Sequence, residues 1–148
     1  MVALDVAKGA AAVGLAHLGS SSVLLIAAAV AAAVVGHIYP VWLRFHGGKG
    51  VAVAAGVFTV LAPLATAIAA VLFVLTVWKT RYVSLGSIAA SVDLPPAAWL
   101  AGAPGPVVGA AGGSAALILF RHRANLYRLR AGTELRMSRQ RIASDAAR

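Results

Sequence analysis

The sequence predicts an all-α membrane protein, a bundle of about six transmembrane helices arranged as three hairpins. Three observations carry that reading. Hydrophobic residues make up 61% of the 148 positions and charged residues only 11%, against roughly 45–50% and 25% in a soluble domain. Residues 9–43, 50–78 and 94–120 contain no Lys, Arg, Asp or Glu. The basic residues instead fall into four clusters: Lys8; Arg44 with Lys49 and His46; Lys79 with Arg81; and the run of arginines from Arg121 to Arg130. Mean hydropathy is +0.88. Barrel strands would alternate polar and apolar residues, and these runs do not.

If all four clusters face the cytoplasm, each stretch between them crosses the bilayer an even number of times. The first stretch is interrupted at residues 17–22 (H-L-G-S-S-S), the second at Pro63, and the third from Asp93, Pro95 and Pro96 through Pro104, Gly105 and Pro106. That gives the three hairpins. His17 and Asp93 fall beside turns, where solvated boundary positions are expected. Residues 50–62 reach only about 20 Å as helix, short of about 30 Å of hydrocarbon. The loop feeding that helix must therefore dip into the membrane, and such backbone persists only when buried in protein or facing a polar cavity. Residues 1–135 read as one integral membrane domain, and residues 136–148 as a basic, disordered cytoplasmic tail.

Net charge is +9. Residues 1–120 carry five basic and two acidic residues, residues 121–148 eight and two. A basic tail beside an apolar body suits anionic lipid, and no nucleic-acid motif accompanies it. The chain has no Cys, which excludes disulfides and thiolate metal sites. No histidine is followed four or five positions on by an acidic residue, so the His-x-x-x-x-Asp motif of soluble-faced glycerolipid acyltransferases is missing. H-E-x-x-H and paired carboxylates are missing too, and no metal or cofactor is expected.

Three segments carry chemistry. In residues 36–51 (G-H-I-Y-P-V-W-L-R-F-H-G-G-K-G-V), Gly47, Gly48 and Gly50 surround Lys49 at the mouth of a helix. Glycines let a ligand approach backbone N–H groups, the helix start adds unpaired donors, and Lys49 adds a full charge. A nucleotide P-loop would need G-x-x-x-x-G-K-[ST], and this segment does not supply it. A phosphate site and a glycine turn with a snorkelling lysine stand about equal on spacing alone. In residues 80–88 (T-R-Y-V-S-L-G-S-I), Ser84 and Ser87 lie one turn apart beside Arg81, able to donate to an oxyanion or simply to pack between helices. In residues 120–134 (F-R-H-R-A-N-L-Y-R-L-R-A-G-T-E), His122 and Asn125 share a helix face, as part of an interfacial amphipathic helix or of a polar site.

Taken in order, these segments resemble the bacterial acyl-phosphate:glycerol-3-phosphate acyltransferase family. L-D-V-A-K-G at residues 4–9 resembles that family's L-D-x-x-K-G. The resemblance spans residues 4–135 and implies a multi-pass enzyme of the bacterial inner membrane, with cytoplasmic basic loops and C-terminus. It would move an acyl chain from acyl-phosphate to glycerol 3-phosphate, giving lysophosphatidic acid for phospholipid synthesis. It implies that Gly47, Gly48, Lys49, Gly50 and Ser87 bind phosphate, that His122 and Asn125 hold the glycerol moiety as catalytic residues, and that Glu134, with Arg81 and Ser84, supports them. Implied partners are the two substrates, membrane lipids and the enzyme that makes acyl-phosphate. The alternative is a non-catalytic membrane carrier or binding module for an anionic lipid or phosphometabolite. The family also has a first helix and an S-G-N-x-G-A-T-N motif ahead of its L-D-x-x-K-G. No S-G-N occurs in these residues. A start assigned too late, and slow or no turnover by these 148 residues alone, are expected on that ground.

Overall fold

The computed structural model describes residues 2–39 and 47–137. Among them are seven helices and no strand: α1 (Val2–Gly19), α2 (Val23–Ile38), α3 (Val51–Leu61), α4 (Pro63–Thr80), α5 (Val83–Leu100), α6 (Gly105–Arg121) and α7 (Arg123–Arg130). Two of the turns fall where breakers stand in the sequence. Ser22 caps α2, its hydroxyl accepting from the Leu25 N–H. Pro63 opens α4 directly after Ala62, at the first helical position, where its missing N–H removes nothing.

The third break differs from expectation. Asp93, Pro95 and Pro96 lie inside α5, which continues to Leu100, and the chain turns at residues 101–104. Proline is tolerated within membrane helices because neighbouring elements satisfy the carbonyls it frees. Asp93 is accordingly half-buried on a helix and not a solvated turn residue; one of its carboxylate oxygens is buried.

The centre of the bundle is α3, where Val53, Ala54, Val57 and Phe58 are buried. Its closest neighbour is α1. A Cβ at Gly56 would strike the Val6 carbonyl, and one at Gly9 the Val53 carbonyl. Two glycines thus bring the α1 and α3 backbones into direct contact, the small-residue packing that joins helices in lipid. Val30, Val34 and Ile38 of α2 and Ala111 and Ile118 of α6 complete the core.

The outer surface is apolar. α4, 18 residues long, has 11% of its span buried, and Leu64, Ile68, Val71, Val74, Leu75 and Trp78 face outward. A helix apolar all round sits in a large core or in lipid. With its outer face uncovered by protein, lipid is the solvent that fits.

Candidate functional site

A cavity of about 410 Å³ lies at one end of the bundle, lined by residues from the starts of α1, α3 and α5, the end of α2 and the segments after α6 and α7. Its polar side chains are Asp5, His37, Lys49, Ser84, Ser87, His122, Asn125 and Glu134. The three motif segments, far apart in sequence, therefore meet in one place. His46 and Arg44, of the first segment, lie outside the described residues.

Gly50 adopts φ +85° as it leads into α3, a left-handed conformation that glycine takes without strain. Among the described residues no side chain caps α3 or α5. The first residues of both helices, Val51 with Ala52 and Val83 with Ser84, line the cavity. Two uncapped helix starts thus turn unpaired N–H groups and positive partial charge toward the space that Lys49 borders.

Lys49 is oriented by a relay. Its Nζ donates to Asn125 Oδ1 at 2.8 Å, Asn125 Nδ2 donates to Glu134 Oε1 at 2.6 Å, and Arg128 Nε donates to Glu134 Oε2 at 2.7 Å. The amide orientation is forced, because an ammonium only donates and a carboxylate only accepts. Glu134 reaches Asn125 because α7 ends in a tight reversal. Gly132 has φ +70°, Gly132 N–H donates to Leu129 O and Thr133 N–H to Arg128 O. This is the double hydrogen bond by which a glycine ends a helix.

Three titratable groups outside the spanning helices are shifted. Burial lowers Lys49 from 10.5; Glu134 opposes that, while Arg128 and Arg121 add to it. Burial also lowers His122 from 6.5 and favours neutral imidazole, against the pull of its hydrogen bond to Ile118. His122 Nδ1 lies 2.8 Å from the Ile118 carbonyl oxygen. A carbonyl can only accept, so Nδ1 carries the proton and Nε2 is left with its lone pair. Burial disfavours the Glu134 carboxylate, but hydrogen bonds from Asn125 and Arg128, the nearby Ser84 hydroxyl and the Arg128 charge outweigh it, bringing the group to about 2. The Ser84 hydroxyl borders that carboxylate in loose geometry and makes no close hydrogen bond.

Ser87 is buried, donates to Val83 O at 3.0 Å, and still lines the cavity. Gly47 does not line the cavity; its carbonyl accepts from Arg121 Nη2 at 3.2 Å. Arg81 does not line the cavity. It contributes backbone, its carbonyl accepting from Met137 N–H at 2.8 Å. Arg136 stacks 5.0 Å from the Tyr82 ring centroid, and its Nε donates to Tyr82 Oη at 2.8 Å. The first two residues assigned to a free tail are therefore bound to the α4–α5 turn, and residues 138–148 lie outside the described residues.

A second cavity of about 360 Å³ adjoins the first, sharing Val51, Ala52, Val83 and Ser87. Elsewhere its walls are apolar or small, including Val6, Ala69, Phe73, Leu94 and Ile118. Sequence reading missed Asp5, His37 and Arg128 as site members. Asp5 was detectable as a carboxylate in the first turn of an apolar helix. Among the described residues no group of three His, Asp or Glu side chains could hold a metal ion.

A polar pocket that presents Lys49 and two helix starts and adjoins an apolar cavity, in a membrane bundle, fits a protein that handles an anionic amphiphile or its precursors. The comparisons narrow this class. Residues 1–132 match the family model described as glycerol-3-phosphate acyltransferase. The glycerol-3-phosphate acyltransferase of Syntrophotalea carbinolica is 43% identical over 136 residues, 89% of this chain and 68% of that protein. That of Geotalea daltonii is 48% identical over 109 residues, 74% of this chain and 56% of the relative. Crystal structures of PlsY (YgiH), an integral membrane glycerol 3-phosphate acyltransferase, superpose with TM-score 0.87 at 35% identity. The glycerol 3-phosphate form covers 96% of this chain and 72% of that one; the lysophosphatidic acid form covers 93% and 70%. The chain belongs to the glycerol-3-phosphate acyltransferase family, and spans 56–68% of the length of these two relatives.

Proposed function

We propose that this chain is an acyltransferase that moves a fatty acyl group from acyl-phosphate to glycerol 3-phosphate, for phospholipid synthesis. The observation that carries the reading is the junction of the two cavities. Phosphate would sit against Lys49, the Gly47–Gly50 loop, Ser87 and the starts of α3 and α5. The acyl chain would lie in the apolar cavity, and the two meet at Val51, Ala52, Val83 and Ser87.

His122 and Asn125 would hold the glycerol moiety, with neutral Nε2 accepting a hydrogen bond from the attacking hydroxyl. The hydroxyl oxygen bonds to the acyl carbon, and the bond from that carbon to the phosphate oxygen breaks. The hydroxyl proton leaves on the departing hydrogen phosphate. Positioning and preorganised charge supply the catalysis without a covalent enzyme intermediate. Glu134 holds Asn125, and Arg81 and Ser84 brace the turn facing it.

In the bacterial inner membrane, α1 to α6 would cross as three hairpins, with α7 on the cytoplasmic surface and residues 1–135 as one domain. The placement of helix starts from α1, α3 and α5 and the end of α2 at one cavity supports this. At 11 residues, α3 reaches about 16 Å, so the loop before it sits below the membrane surface.

The test is lysophosphatidic acid formation by the purified chain from acyl-phosphate and glycerol 3-phosphate. Slow product formation that requires both substrates is expected. Saturable glycerol 3-phosphate binding without turnover would favour the carrier reading instead.

A further inference from the structure

Two polar residues of the main cavity have no part in the relay or the proposed chemistry. Asp5 stands in the first turn of α1 and His37 in the last turn of α2. Their side chains are 26% and 19% exposed, and His37 Nδ1 lies 3.7 Å from Asp5 Oδ1. That separation is longer than a hydrogen bond, yet close enough for the carboxylate to orient the ring's Nδ1 edge toward itself.

The opposite edge of the ring meets the glycine loop. A Cβ on Gly48 would collide with His37 Nε2 and lie 3.2 and 3.3 Å from Cε1 and Cδ2. The imidazole is thus seated on the Gly48 Cα. Its chain neighbour Ile38 holds the loop on either side: Gly47 N–H donates to Ile38 O at 3.2 Å, and the Ile38 side chain fills the space beside Gly50. Lys49 is consequently flanked by two glycines, each pressed against the end of α2. A glycine loop has many conformations available in the absence of such contacts, and a phosphate-binding cation displaced by about 1 Å loses much of its effect.

We propose that Asp5 and His37 are positioning residues, the Asp5 carboxylate orienting the His37 ring that props Gly48 and so sets Lys49 against the substrate phosphate. The inference rests on the acyltransferase reading of the site. Neither residue is assigned a contact with the reacting atoms. The role requires Gly48 to lack a side chain for a reason separate from substrate approach, namely that the ring occupies the place of its Cβ.

The experiment is a pair of double-mutant cycles in the purified chain, read as KM for glycerol 3-phosphate, kcat and thermal unfolding. His37→Ala is expected to raise KM roughly tenfold with little change in unfolding temperature. In a Lys49→Ala background the same substitution should add almost nothing, because the prop acts through Lys49. Gly48→Ala alone should be impaired, and Gly48→Ala with His37→Ala no worse than His37→Ala. Asp5→Asn, which keeps size and hydrogen bonding, should retain more function than Asp5→Ala. Losses that add in both cycles, or a KM unchanged by His37→Ala, would overturn the proposal. A wild-type chain that neither binds nor acylates glycerol 3-phosphate overturns the functional reading itself, and this inference with it.

Discussion

Lys49 Nζ and Asn125 Oδ1, 76 positions apart in the chain, stand 2.8 Å apart at the cavity wall. The contact joins the loop before α3 to the helix after α6. It leaves the lysine with two further donors for a ligand. The cation is thus placed by a neutral amide, and the amide by Glu134. A direct Lys49–Glu134 pair would have neutralised the charge that a phosphate needs.

Lys49→Ala is expected to raise KM for glycerol 3-phosphate and lower kcat/KM. Removal of one charge-assisted contact costs about 1.5–3 kcal/mol, or roughly 10- to 150-fold. Lys49→Arg should recover only part, since a planar guanidinium cannot reproduce the single-point contact with Asn125. Steady-state lysophosphatidic acid formation checks both, and unchanged kinetics for Lys49→Ala in folded protein would return the residue to a snorkelling role.

Asn125→Asp separates the relay from simple bulk. An aspartate still accepts from Lys49 but faces Glu134 with a second carboxylate, where Asn125 now donates at 2.6 Å. Like charges at that distance cannot both remain ionised without cost. A loss of at least tenfold in kcat/KM is expected, about 1.4 kcal/mol. Glu134→Gln in the same chain should partly restore it by removing the repulsion, which a purely steric role for Asn125 would not predict.

The acid side of the pH profile follows from two depressed groups. Glu134 titrates near 2 when folded, against an ordinary 4.5. Its stabilisation is therefore complete above about 4.5 and is lost as pH falls toward 2. His122 is also lowered, from 6.5, so it is neutral above that value; stability begins to fall as pH drops below 6.5, whereas the folded Nε2 acceptor persists further and is lost only at its lower folded pKa. kcat/KM is expected to decline on the acid side of 6.5 and to be flat just above it. Unfolding measured from pH 5 to 2 should show a shallower acid loss in Glu134→Gln. A rate that rises on acidification through this range would contradict the neutral-imidazole assignment.

Much of this site is legible in the sequence because its residues sit in short ordered strings. Gly48 and Gly50 around Lys49, Ser87, and His122 with Asn125 and Glu134 can each be found from local spacing, and the structure brings them to one cavity, whereas Gly47 does not line it. Features that depend on register between separate helices are not legible. Nothing local says that Gly9 and Gly56 will cross, or that His37 will meet both Asp5 and Gly48. The double proline misled for a related reason. Pro95 and Pro96 are breakers by intrinsic propensity, whereas α5 is held to Leu100 by packing, with Leu94, Ala97 and Ala98 buried against the bundle. Arg136 likewise reads as tail by charge and is placed by one aromatic ring.

Gly56→Val tests the α1–α3 crossing apart from the chemistry. Its Cβ would meet the Val6 carbonyl inside contact distance, and Val6 Cα at 3.0 Å. The helices would have to separate, at a cost of about 1–3 kcal/mol for overpacking. Thermal unfolding in detergent should fall by several degrees, and Asp5 would move with α1. Gly109, which has nothing near its Cβ position, serves as the control and should tolerate Ala.

The orientation of the bundle makes the last prediction. Ser20 lies in the α1–α2 turn and Arg130 at the end of α7, so the proposed three-hairpin arrangement would put them on opposite sides of the membrane. By the positive-inside rule the four basic clusters would put the Arg130 side in the cytoplasm. The chain has no native Cys, so single cysteines report without background. Ser20→Cys in intact cells should react with a membrane-impermeant maleimide added from outside. Arg130→Cys should react only after the membrane is opened. Arg130 is exposed, so failure to label it in intact cells would reflect sidedness and not burial. The cavity would then open toward the cytoplasm, where glycerol 3-phosphate is dissolved, while the apolar cavity stays at the depth of the acyl chains. Labelling of Arg130→Cys from outside, or of Ser20→Cys only from within, would invert the bundle and place the phosphate site on the wrong side for its substrate.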